Sequence, residues 1–258
     1  MNREAPGSWV AIWAVLRRDL RVWRRFFWAS VAGDLVEPVL YLLALGYGLG
    51  SLIDGVAGMS YTRFIAPGLV VTAALYSASF EATYGTYTRM VPQRIFESML
   101  ATPLRSGEIL IGEVLYAAAK ATVAGCAVLA VSAGLGLVDA WTALLVPPLC
   151  LLCGVAFSGL AALFTCISPA YDFFNYYFTL AVTPMVLFSG VFFPLDQLPG
   201  WAQTAAWASP LTHATAAAHH LFAGRLELAL LAEVAWLLVA AALPLWPAAR
   251  LLRRRLVR

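Results

Sequence analysis

Charge is scarce in this chain. Asp, Glu, Lys and Arg make up 12% of its 258 residues and hydrophobic residues 62%, whereas a soluble domain carries about a quarter charged residues. That balance excludes a soluble globular protein and predicts an integral membrane protein. Lysine is scarcer still. The one lysine, Lys120, follows Ala117, Ala118 and Ala119 inside an apolar run. No GxxxxGK[ST] loop therefore exists to cradle a nucleotide phosphate, and the chain is not expected to hydrolyse ATP.

Other chemistry is missing as well. No HExxH occurs, and His213, His219 and His220 cluster without an acidic or cysteine ligand close in sequence, so no metal site is expected. No nucleophile and base constellation marks an intramembrane protease or acyltransferase. Cys126, Cys150, Cys153 and Cys166 all fall in apolar runs, and the CxxC spacing of Cys150 and Cys153 reads as small packing residues rather than a redox pair. The first 28 residues carry arginines and aromatics in place of a charged tip and an uninterrupted apolar core, so no cleavable signal is expected.

What is present is apolar length. Runs at about 30–53, 65–88, 109–135, 143–167, 173–193 and 228–247 predict six transmembrane helices in one membrane domain, 1–258, with no separate soluble unit. Arg3, Arg17, Arg18, Arg21, Arg24 and Arg25 precede the first run. Arg89, Arg94 and Arg105 lie between the second and third, and Arg250, Arg253, Arg254, Arg255 and Arg258 follow the last. Only Arg63 and Arg225 fall in the alternate connections. Basic residues collect on the cytoplasmic side, so both termini are expected there. The net charge of +3 is a topology signal and implies no nucleic-acid partner.

Within residues 8–28, Trp9, Ile12, Trp13, Leu16, Leu20, Trp23 and Phe27 recur at helical spacing, with Arg17, Arg18, Arg21 and Arg25 on the opposite flank. This predicts an amphipathic helix lying on membrane lipids. Residues 89–104 predict a second short helix, ending at Thr102-Pro103. Pro194, Pro199 and Pro210 cannot sit in helix interiors, yet Pro199 and Ser209-Pro210 suit the starts of short helices. Residues 194–222 are thus expected to form a re-entrant outer helical hairpin between the fifth and sixth spans.

The pattern FSGxxFPL at Phe188 to Leu195, LPxW at Leu198 to Trp201 and PLTH at Pro210 to His213 resembles the permease subunits of type-2 ABC exporters, in particular their nodulation protein J branch. The resemblance implies an all-α fold of six spans and a bacterial inner membrane. It also implies a second permease copy as a homodimer, and two copies of a separate ABC ATPase that hold the ATP and Mg, with no cofactor in this chain. The helix at 89–104 becomes a coupling helix, with Arg94, Phe96, Glu97, Met99 and Leu100 as candidate ATPase contacts. Phe188, Gly190, Pro194, Trp201, Pro210 and His213 become an outer lid. The implied cargo is a lipo-oligosaccharide or related glycolipid. The alternative is a hydrophobic-drug efflux permease of the same fold, and the third reading is an intramembrane enzyme or assembly scaffold.

Ionisable residues inside apolar runs need a reason to be there. Asp34, Glu37 and Glu113 lie near the cytoplasmic ends of their runs and are read as reaching the interface, whereas Glu233 sits in the last run. Glu81 and Lys120 lie deeper, about 12 and 18 Å from those ends, and are expected to pair. Tyr76, Phe80, Tyr84 and Tyr87 form a stripe on the second run, and Phe173, Phe174, Tyr176, Tyr177 and Phe178 open the fifth. Such rings pack helices and also stack on sugars. Tyr76, Phe80, Tyr84, Tyr87, Phe173, Phe174 and Tyr177 are the candidate substrate contacts.

Overall fold

The computed structural model describes residues 8–256 apart from 54 and 57, and these are organised as helices with no sheet among them. Arg3 and Arg258, counted above for orientation, lie outside the described residues. In chain order come α1 (Ser8–Trp23), α2 (Phe27–Leu43), α3 (Tyr61–Phe80), α4 (Thr86–Met90), α5 (Ile95–Leu100), α6 (Ser106–Gly134) and α7 (Val146–Ile167). They are followed by α8 (Phe173–Tyr177), α9 (Thr183–Phe188), α10 (Gly200–Trp207), α11 (Pro210–Phe222), α12 (Leu228–Ala242) and α13 (Leu245–Leu256). π turns join neighbouring helices or extend them at Ala44–Gly48 after α2, Glu81–Gly85 between α3 and α4, and Phe178–Val182 between α8 and α9.

Among the described residues, five helical stretches are long and apolar enough to cross a membrane: Phe27–Ser51, Tyr61–Met90, Ser106–Gly134, Trp141–Ile167 and Leu228–Leu256. The sixth apolar stretch, Phe173–Phe188, is shorter. It stops at Phe188 because Gly190 takes a left-handed φ of +77° and Pro194 cannot continue a helix. Pro210 opens α11 at a position where its missing N–H costs nothing, and the Ser209 Oγ accepts from the Leu211 amide at 3.3 Å.

The bundle is centred on α3, whose residues from Ile65 to Leu75 are buried on every face against α2, α6, α7 and α11. Close helix approach rests on small residues. A Cβ at Gly154 of α7 would meet the Ala118 Cα of α6 at 2.6 Å, and one at Gly68 of α3 would meet the Val191 Cα at 3.0 Å. Helix α1 docks on α6 through Ala11, Ile12 and Val15, with Val15 seated over Gly112. Its buried face is therefore offset from the tryptophan stripe, and Trp9 and Trp13 remain exposed.

A second apolar cluster fills the arginine-rich end. Phe96 and Met99 of α5 pack there with Tyr87, Ile109, Phe174, Ala248 and Leu252. The Arg255 guanidinium caps α7, donating to the carbonyls of Thr165 at 2.8 Å and Cys166 at 3.1 Å.

Candidate functional site

A network of buried charge joins α4, α6 and the π turn after α3. Lys120 Nζ lies 2.7 Å from Glu81 Oε2, and Arg89 Nη1 lies 2.8 Å from Glu81 Oε1. The Arg89 Nε donates to both oxygens of Glu113, at 3.2 and 3.0 Å, while the Thr86 hydroxyl donates to Glu113 at 3.0 Å. The guanidinium sits 5.3 Å from the Tyr116 ring centre. Two carboxylates and two cations balance, which is what makes buried ions tolerable.

Glu113 was expected to reach an interface. Instead its side chain is 2% exposed, because α1 and the end of the α3–α4 rod close over α6 at this height and Arg89 turns inward to meet it. The π turn matters here. It releases the Ala82 carbonyl, which the Thr165 hydroxyl of α7 takes up at 2.7 Å.

Asp19 of α1 stands beside this network. Its Oδ1 accepts from Arg18 at 2.8 Å and its Oδ2 has no partner. Burial, with Glu113 nearby, pushes its carboxyl from 3.8 to about 7 against the pull of Arg89 and Arg18. An open polar cavity of about 620 Å³ lies alongside, walled by Arg18, Asp19, Tyr84, Gln93 and Tyr116.

A second cavity, about 320 Å³, opens between α2, α3 and α9, with Asp34, Glu37, Tyr41, Thr72, Tyr76 and Phe80 on its wall. Asp34 accepts from the Ser77 hydroxyl at 3.1 Å. Ser77 is 13 residues short of the Met90 end of its rod, about 20 Å along the axis. The expectation that Asp34 reaches an interface is thus corrected: α2 starts above the docked α1, so its early residues already lie at mid-height.

The aromatic candidates divide. Tyr76 and Phe80 line this cavity, and Tyr84 borders the polar one. Tyr87, Phe174 and Tyr177 are buried in packing: the Tyr87 hydroxyl donates to the Pro169 carbonyl at 2.7 Å, and Tyr177 bonds Ser79 at 3.1 Å. Phe173 is half-buried, edge-on to Tyr176.

The residues of α5 divide too. Arg94 and Glu97 are exposed and face each other at 3.8 Å, Leu100 is half-buried, and Phe96 and Met99 point into the chain's own core. Arg94 carries a left-handed φ of +50°, which starts the helix.

At the opposite end, α11 is inserted deeply against α3, α7 and α12. His213 contacts the Glu233 carboxylate of α12 through Nδ1 and the Trp207 carbonyl through Nε2, the latter at 2.9 Å. The rings of Trp207 and Trp236 flank it at 5.5 and 5.2 Å. Trp201 is exposed, Phe188 is partly so, Pro194 and Pro210 are half-buried, and Gly190 packs under Leu195. Among the described residues no group of three His, Cys, Asp or Glu side chains is placed to hold a metal. Sequence reasoning missed Arg89, Thr86 and the Glu233 partner of His213. An unexplained intramembrane glutamate was the one signal available for the last.

An all-helical bundle with long apolar helices is the architecture of an integral membrane protein, and residues 10–222 match the ABC-2 type transporter family. The chain belongs to that family: it is a multi-pass membrane permease subunit of an ABC transporter, and ATP hydrolysis is carried out by a partner. It is 40% identical to nodulation protein J of Rhizobium leguminosarum bv. trifolii, over 98% of this chain and 97% of that one. With nodulation protein J of Rhizobium meliloti (strain 1021) the figures are 38%, 97% and 94%. The inner membrane transport permease YadH of Escherichia coli (strain K12) is 24% identical over 84% of each chain.

Proposed function

We propose that this permease exports an amphipathic glycolipid, of the lipo-oligosaccharide kind, from the cytoplasm or inner leaflet of a bacterial inner membrane. The observation that carries the reading is the near full-length similarity to nodulation protein J. A cavity walled by Tyr76 and Phe80 together with polar side chains supports it, because such a wall suits a ligand with both sugar and acyl parts.

In this reading the whole chain is one domain of six spans, with Phe173–Phe188 as a short fifth span and α10 and α11 as a re-entrant lid at the exit. Both termini and the arginine-rich end face the cytoplasm. The permease works as a homodimer with two ATPase subunits, which bind ATP and Mg. Their motion enters through the exposed face of α5, at Arg94, Glu97 and Leu100. Phe96 and Met99 carry it into the core, and the network of Glu81, Lys120 and Arg89 passes it along the α3–α4 rod. Tyr84 and Phe173 remain candidate contacts beside Tyr76 and Phe80, and Tyr87, Phe174 and Tyr177 act by packing behind them. Phe188, Gly190, Pro194, Trp201, Pro210 and His213 shape the lid.

Deleting the gene should leave the glycolipid inside the cell and remove it from surface extracts, with drug tolerance unchanged. Drug sensitivity with normal surface glycolipid would instead support the efflux reading of the same fold.

A further inference from the structure

We propose that the cavity between α2, α3 and α9 binds a protonated amine on the polar head of an amphipathic ligand, with Asp34 and Glu37 as its counter-charges. The proposal rests on the exporter reading and narrows its substrate class.

The two carboxylates lie one turn apart on α2 and share one wall. Thr72 lines the same cavity and is only 6% exposed. Asp34 has one partner, Ser77. Among the described residues no Arg, Lys or His lines the space, and the nearby Lys120 is held by Glu81.

Two acidic groups without a lining cation, at the mid-height of a membrane bundle, form a poorly compensated site. An ammonium group supplies the missing positive charge. Its N–H donors meet the free lone pairs of Asp34 and Glu37. The rings of Tyr41, Tyr76 and Phe80 line the same space and cover the adjoining apolar chain. A phosphate or sulfate head meets like charge and is rejected. The amine could belong to an amino sugar or to a basic drug, since both present the same ammonium chemistry.

The test uses the permease copurified with its ATPase partner in phosphatidylcholine nanodiscs. Binding is titrated calorimetrically against empty discs with four probes that share a dodecyl chain: dodecyl glucosaminide with a free amine, dodecylamine, dodecyl maltoside and dodecyl phosphate. Both amines should bind at least about tenfold tighter than the maltoside, with the phosphate weakest. D34N/E37Q should bring both amines down to the level of the maltoside. A stronger glucosaminide than dodecylamine assigns the amine to a sugar, and the reverse order assigns it to a drug.

Equal binding of amines and maltoside by the wild type would overturn the site, as would amine binding that survives D34N/E37Q. If that double variant does not assemble, E37Q alone decides, because Glu37 is exposed. A severalfold loss of amine binding supports the site and unchanged binding overturns it. Equal probe binding alongside a surface-glycolipid defect in the deletion strain would remove the amine site and leave the exporter reading standing. No binding and no export defect would remove both.

Discussion

Glu81 and Arg89 form an ion pair at 2.8 Å along one rod because a π turn intervenes between them. In a regular α-helix, residues eight apart are turned about 80° from each other. One inserted residue reduces that to about 20° and stacks the carboxylate over Gly85 and under the guanidinium. The turn therefore creates the pair, and Lys120 and Glu113 of α6 complete it.

Glu81 is the shared acid of this network, so its loss should cost most. E81Q strands Lys120 and half of Arg89 and should destabilise the permease by about 3–5 kcal/mol. K120M leaves Glu81 with Arg89 and should cost less. The double variant E81Q/K120M should regain part of the loss in thermal unfolding of the purified complex. A double variant as damaged as the sum of the singles would argue against coupling.

The Glu81 carboxylate occupies the space where a Cβ at Gly85 would project. G85A should push it aside and cost about 1–3 kcal/mol. G107A, at a helical site with nothing within 4 Å of the added carbon, should stay within about 0.5 kcal/mol. The same unfolding assay separates the two.

Asp19 predicts a pH dependence. Its carboxyl is raised from 3.8 to about 7 in the folded protein, so the folded state holds the proton that the unfolded chain releases near pH 4. Stability from this group is full below pH 4 and is lost as pH rises to about 7, by up to about 4 kcal/mol. D19N should remove that slope and raise the melting temperature at pH 8. A variant that melts in parallel with the wild type from pH 5 to 8 would contradict this.

The two faces of α5 should separate in experiment. R94A/E97A, at exposed positions, should reduce copurification of the ATPase and leave the melting temperature of the permease unchanged. F96A, at a fully buried ring, should cost about 3–5 kcal/mol. Normal ATPase recovery with R94A/E97A would move the contact elsewhere.

Some of the site was legible in sequence because it depends on composition and local pattern. The proline and glycine punctuation from Phe188 to Pro210 foreshadowed the end of α9 and the starts of α10 and α11. The depth count brought Glu81 and Lys120 to compatible heights, and the structure joins them at 2.7 Å. Charge alone places Arg89 in a connection, and the π turn that draws it inward leaves no mark in hydropathy. The heights of Glu113 and Asp34 escape the sequence for a related reason: counting from a run's end assumes that each helix starts at the interface, and docked α1 shifts that origin.

The sequence alone determined that this chain is a bundle of apolar helices with its arginines gathered at one end, because water and lipid sort residues by solubility whatever their partners. Only the tertiary structure decided which charges meet, which α5 residues face inward and which acids line a cavity. Those outcomes depend on helix rotation and height, set when small residues such as Gly112 and Gly154 let particular helices close on one another.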